Sequence, residues 1–184
     1  MNTYQYPHTI ENGGERLTFV RRIEDGTGDR LEVENVVKPG FGPPMHVHHR
    51  QVESLTVAEG RIGYQRLGEE PQFAGPGESV TFQAGEVHRF WNAGDGELRC
   101  KGHIQPADNI EYFLGAMYDS QRESGSMRPG VFDAAFLMRR FRSEFAMTEI
   151  PAPVQRFVFP LQVLIGHLLG KYRKYADAPA PIAR

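Results

Sequence analysis

Cysteine is nearly absent: Cys100 is the only one in 184 residues. That excludes an intramolecular disulfide and any cysteine-built zinc cluster. An excess of one charge is also lacking. The chain has 21 basic and 23 acidic residues and a formal net charge of −2, so it carries no electrostatic footprint for nucleic acid. The most apolar stretch, 154–169, contains Pro160 and Gly166 and falls short of the roughly 20 apolar residues that cross a bilayer. Residues 1–14 are polar and lack the basic-then-apolar order of a secretory leader, so a cytoplasmic location is expected. The length suits one domain with a sizeable core and an appendage.

Histidine, by contrast, is concentrated. Four of the seven (His46, His48, His49 and His88) fall in two short segments. The first reads Gly40-x5-His46-x-His48-x4-Glu53-x6-Gly60 and the second Gly77-x7-Gly85-x2-His88-x3-Asn92. Imidazole and carboxylate are the usual ligands for divalent iron, manganese, nickel, copper and zinc. In an extended strand, residues i and i+2 share a face, so His46 and His48 converge while Val47 points away. Glu53 opens the alternation Glu53, Leu55, Val57 and can project from the adjoining stretch of the same wall. His88, Phe90 and Asn92 share a face in a third segment. A lone histidine near a strand is more often a surface or hydrogen-bonded core residue than a ligand. Here the flanking glycines, placed where turns need positive φ or close backbone approach, favour a site.

These two segments resemble the two motifs of the cupin superfamily, G-x5-H-x-H-x3–4-E-x6-G and G-x5-P-x-G-x2-H-x3-N. The first is matched at Gly40, His46, His48, Glu53 and Gly60; the second at Gly77, Gly85, His88 and Asn92, with Gln83 where proline is usual. The departure affects a turn and no ligand. The resemblance covers about residues 15–106. It implies a mainly β fold, a double-stranded β-helix or jelly-roll barrel, with His46, His48, Glu53 and His88 as metal ligands. It also implies homodimers, for which the apolar C-terminal helices offer a surface.

The rest of the chain reads in two parts. Short strands are expected at 17–23, 30–37, 52–58, 61–67, 79–82, 88–92 and 97–105, separated by glycine-rich turns as in an antiparallel sandwich or barrel. The turn at 24–29 joins the first two, and Glu59-Gly60 reads as a hairpin. A barrel over 1–106 and a helical extension over 107–176, packed on the barrel or on a partner subunit, are expected. Residues 177–184, rich in proline and alanine, are expected to be flexible. Asp108 is placed to cap a helix running to Tyr118, residues 120–130 read as loop, and 131–145 as a second helix. The third helix, 154–169, ends in the cations of Lys171, Arg173 and Lys174. Packing is preferred for it over the weaker alternative of membrane-surface association through 154–174.

Alternation places Leu55, Val57, Phe90, Tyr64 and Arg66 around the metal, with Phe41 and Met45 at the mouth and His49 turned away. Three histidines and a carboxylate leave one or two positions open on an octahedral iron or manganese ion, as in the dioxygenases common among cupins. The reading is therefore an oxygenase-like reaction on a small organic molecule, with Glu53 a ligand or a base. Non-redox isomerase or lyase action, with Tyr64 or Glu53 moving protons, and a non-catalytic sensor or storage role are the alternatives.

Overall fold

The computed structural model describes residues 4–25 and 28–183. Eleven strands run in chain order among the described residues: β1 (His8–Glu11), β2 (Glu15–Asp25), β3 (Gly28–Val37), β4 (His46–His48), β5 (Val52–Glu59), β6 (Ile62–Arg66), β7 (Gln72–Ala74), β8 (Ser79–Phe82), β9 (Val87–Asn92), β10 (Leu98–Gln105) and β11 (Phe145–Met147). Between β10 and β11 come α1 (Ile110–Ser124) and α2 (Val131–Arg140); α3 (Phe159–Leu168) follows β11. The strands form a six-stranded sheet, β1-β2-β3-β10-β5-β8, and a five-stranded sheet, β11-β4-β9-β6-β7. The pairings are antiparallel. Gly26 and Thr27, at the expected turn between β2 and β3, lie outside the described residues.

Alternation in the sequence becomes burial. On β3, Leu31, Val33, Asn35 and Val37 are buried while Glu34 is exposed, and on β5 Glu53, Leu55 and Val57 are buried. Two clusters result. Between the sheets pack Leu55, Val57, Ile62, Phe82, Phe90 and Leu98. Further along the same face of β2 and β3, Phe19 and Leu31 meet Ile110, Phe113, Leu137 and Phe141 of the helical part. Each such side chain contributes about 1.5–3 kcal/mol by leaving water.

The hairpin expected at Glu59-Gly60 does not form. β5 lies between β10 and β8, whereas β6 lies between β9 and β7 of the facing sheet. Gly60 is where the chain changes sheets: its φ is +87°, and a Cβ there would lie 2.6 Å from the Glu97 carbonyl oxygen. Only glycine allows that approach.

The helical region departs from expectation in three places. Asp108 does not cap α1. It has φ +44° and its carboxylate accepts from Arg50 Nε at 2.9 Å, while Asn109 occupies the cap position without a side-chain cap bond. Helix α1 then continues to Ser124, so the first part of the expected loop is helical. The reason is that Gln121, Arg122 and Glu123 are good helix formers, and Arg122 pairs with Asp119 at 2.7 Å. Finally, α2 stops at Arg140 and the chain turns into β11, whose Phe145, Ala146 and Met147 pair with His48, Val47 and His46. The strand covers an edge of β4 that would otherwise be open.

The third helical segment forms as a five-residue π-helical turn, Val154–Val158, leading into α3. Pro160 sits in the first turn of α3, where its missing N–H costs nothing. Downstream, Asn109 Nδ2 donates to the Ala180 carbonyl at 3.0 Å, and Arg140 Nη2 to those of Ala178 and Pro179 at 2.8 Å.

Candidate metal centre

Strand β4 presents His46 and His48 on one face, two residues apart. In the β4–β9 ladder His46 lies directly opposite His88. The fourth group does not come from the same wall. Glu53 stands on β5 in the facing sheet, because residues 49–51 carry the chain across. Three imidazoles on one sheet thus meet one carboxylate from the other. One donor atom from each of the four lies within 4.8 Å of all the others.

The hydrogen bonds behind these rings fix what they offer. His46 Nδ1 is 2.8 Å from the Pro44 carbonyl oxygen and His88 Nδ1 is 3.0 Å from that of Glu86. A carbonyl only accepts, so both Nδ1 atoms carry the proton and both Nε2 atoms present lone pairs inward. His46 Nε2 is 3.1 Å from His48 Nε2; His88 Nε2 is 3.2 Å from Glu53 Oε2, and His48 Nε2 is 3.7 Å from the same oxygen. Between His88 and Glu53 acceptor faces acceptor, an arrangement that a cation or an added proton must relieve. Separations near 3 Å also suit adjacent ligands at roughly 2.1 Å from one ion. The donor set therefore fits a divalent metal, in the manner of ligands oriented by outer hydrogen bonds.

Burial sets the electrostatics. Desolvation, with the neighbouring His88, lowers the His46 pKa to about 4. Desolvation lowers that of His48 to about 3, against the pull of Glu53. For Glu53 burial pushes upward, but the interaction with His88 Nε2 and with the rings of His48 and His46, each favourable to the carboxylate when an imidazole takes up a proton, outweighs it and holds the carboxyl at about 2. At neutral pH the site has two uncharged imidazoles, His46 and His48, beside one carboxylate.

Aromatic rings hold the ligands in place. Phe82 stacks on His88 with centroids 3.8 Å apart and planes 8° apart. Phe145 of β11 stands edge-on to His48 at 5.5 Å. His48 Nδ1 is buried without a hydrogen-bond partner, so Phe145, and no carbonyl, limits the tilt of that ring. His46 is the least buried of the four, which puts the approach from solvent on its side.

Other residues expected near the site are placed as follows. Leu55, Val57 and Phe90 lie in the core between the sheets. The Tyr64 ring packs against that core, but its hydroxyl donates to Gln72 at 2.9 Å near the surface and does not reach the four ligands. Arg66 donates to Glu86 and to the Thr81 carbonyl at 2.8 Å. Phe41 packs over Gly14, and His49 is exposed. Asn92 holds the turn after β9, donating to the Val37 and Gly96 carbonyls. All four motif glycines, Gly40, Gly60, Gly77 and Gly85, have positive φ. Gln83 uses the amide a proline would lack, donating it to the Glu86 carboxylate.

One interior group escaped the sequence. Glu15 accepts from Tyr118 at 2.6 Å and from Asn35 at 3.1 Å, and its pKa is raised by burial and in part by the charge of Glu53. Tyr118 lies 103 residues from Glu15 in the chain, and no local pattern joins them.

A two-sheet antiparallel barrel with three histidines and one glutamate converging inside it defines a class of protein, and comparison with known proteins agrees. Residues 33–101 match the family model described as Cupin domain. The probable oxidoreductase virH of Hypocrea virens is 30% identical over 194 aligned positions, covering 92% of this chain and 85% of that one. The epoxidase atD of Aspergillus terreus is 27% identical over 106 residues, 56% of this chain but only 33% of its own length. Among solved structures, KdgF from Halomonas sp. aligns with a TM-score of 0.49 at 15% identity, covering 58% of this chain and 99% of that one. The chain belongs to the cupin superfamily.

Proposed function

We propose that the protein is a metal-dependent oxidoreductase of the oxygenase type acting on a small organic molecule. The observation that supports it is the convergence of the inward lone pairs of His46 and His88 with His48 and the Glu53 carboxylate within 4.8 Å. The relatives virH and atD, named as an oxidoreductase and an epoxidase, point the same way. Iron or manganese is the proposed ion; nickel, zinc and copper also accept such donors. When bound, an iron or manganese ion supplies redox chemistry and open coordination positions.

The chain's own residues do the rest. His46, His48 and His88 offer neutral nitrogen donors, and Glu53 balances part of the ion's charge. Phe82 and Phe145 keep water from the rings they cover. A carboxyl held at about 2 is a weak base, so Glu53 can abstract a proton only after leaving its imidazole neighbours. We assign Tyr64 to the pocket wall, since a proton-moving role would require its hydroxyl to leave Gln72.

The test is metal content and oxygen uptake of untagged protein beside His88→Ala. About one equivalent of iron or manganese and oxygen consumption with a candidate substrate, both lost in the variant, are expected. Turnover sustained by redox-inert zinc would replace this reading with isomerase or lyase chemistry. Metal binding without turnover on any substrate would leave a binding module.

A further inference from the structure

The segment from the π-helical turn through α3 is wrapped in apolar side chains but buries very few. Phe159 and Gly166 are its buried residues, and Gly166 has the Tyr172 ring within 2.4 Å of where a Cβ would be, so this face is closed against the 3-10 turn Lys171–Tyr175. The opposite face is open. Phe157 is 67% exposed, Leu161 57%, Leu164 58% and Leu168 80%. Their spacing of three or four residues makes one continuous stripe along roughly 17 Å of helix. Large apolar side chains collected this way mark a contact surface.

The charges around the stripe indicate what covers it. No aspartate or glutamate occurs between Glu149 and Asp177, whereas Arg156, Lys171 and Arg173 are exposed cations. Lys174 is already engaged by Glu123 and Asp133 and is not counted. A second copy docked here by a two-fold axis would bring cations against cations with no acid in the segment to pair them. Among the described residues no helix is long and apolar enough to cross a membrane. Exposed apolar side chains on the outer face, cations at both ends and a length too short to span suit a helix lying in a lipid interface.

We propose that this stripe docks the protein on an anionic phospholipid surface. The leucines and Phe157 sit at the level where headgroups meet acyl chains, and Arg156, Lys171 and Arg173 contact the headgroups. The binding is independent of the metal centre, since no ligand lies on this segment.

Flotation of the full chain with phosphatidylcholine vesicles, with and without roughly a quarter phosphatidylserine, tests this. The protein should float with the anionic vesicles and at least tenfold less with neutral ones. Leu164→Gln/Leu168→Gln should lower recovery more than tenfold. These side chains are exposed, and an unchanged circular dichroism melting curve would show that the fold is kept. Lys171→Gln/Arg173→Gln, which leaves the stripe intact, should lower recovery on anionic vesicles by roughly 10- to 30-fold. Raising salt from about 0.05 to about 0.5 M should act in the same direction. Equal recovery with neutral vesicles, or none with either, would overturn the proposal. So would a solution dimer that fails to float and dissociates in Leu164→Gln/Leu168→Gln, which would assign the face to a second copy.

Discussion

At the scale of single residues, the centre is organised by which nitrogen carries the proton. Pro44 and Glu86 hold protons on the outer nitrogens of His46 and His88 and so commit the inner ones to an electrophile. Among the four candidate ligands Glu53 alone brings a charge as well as a lone pair. Glu53→Gln keeps the volume but removes that charge, and its amide can donate to His88 Nε2. Divalent-metal affinity, measured by calorimetric titration, should fall by more than roughly 100-fold, beyond what losing an outer hydrogen bond costs. The fold should survive. Unchanged affinity would mean that Glu53 is not a ligand. The four residues were legible in the sequence because each lies in a short segment with a fixed spacing and a flanking glycine. Glu15 and Tyr118 were not, since only the finished fold brings them together.

At the scale of elements, local pattern located the strands but not their neighbours. Alternation gave β3, β5 and β9 because each has one face in the core. The glycine at position 60 was legible as a turn, yet nothing near it says whether the next strand joins the same sheet or the facing one. Phe145 shows the same limit. Its spacing from Phe141 suits a helix, but the unpaired edge of β4 decides the outcome, and that edge lies about a hundred residues upstream. Because Phe145 also bears on His48, β11 links the helical part to the metal centre. Phe145→Ala removes a side chain only 4% exposed and stacked on Phe113 at 4.6 Å. It should cost about 3–5 kcal/mol, read as a melting temperature lower by about 10 °C. Metal affinity should also weaken, by roughly tenfold, as the His48 ring loses its stop. A destabilised variant with undiminished affinity would show that β11 supports the fold alone.

At the scale of the whole molecule, the buried site ties stability to pH. His46 and His48 are held at about 4 and about 3, below the ordinary 6.5, and Glu53 at about 2, below 4.5. All three shifts have the same sign. As pH falls from 6.5, an unfolded chain takes up protons on these histidines that the folded chain refuses, and below 4.5 it does so on the glutamate as well. Stability from this source is fully present above about pH 6.5 and is lost progressively down to about pH 2. A bound cation sharpens the effect, because protons and metal compete for the same lone pairs. Metal at about 100 times its Kd adds about 2.7 kcal/mol at neutral pH, and that increment should vanish as the imidazoles become protonated. Melting curves at about pH 7.5, 6, 5, 4 and 3, with chelator and with saturating metal, should therefore converge at the acid end of the series, where these imidazoles take up protons. His48→Ala should flatten the dependence of the metal-free protein by removing the most strongly shifted histidine. A metal-free melting temperature level across this range would mean that the imidazoles are not held neutral by burial. In that case the lone pairs assigned to the metal would already carry protons.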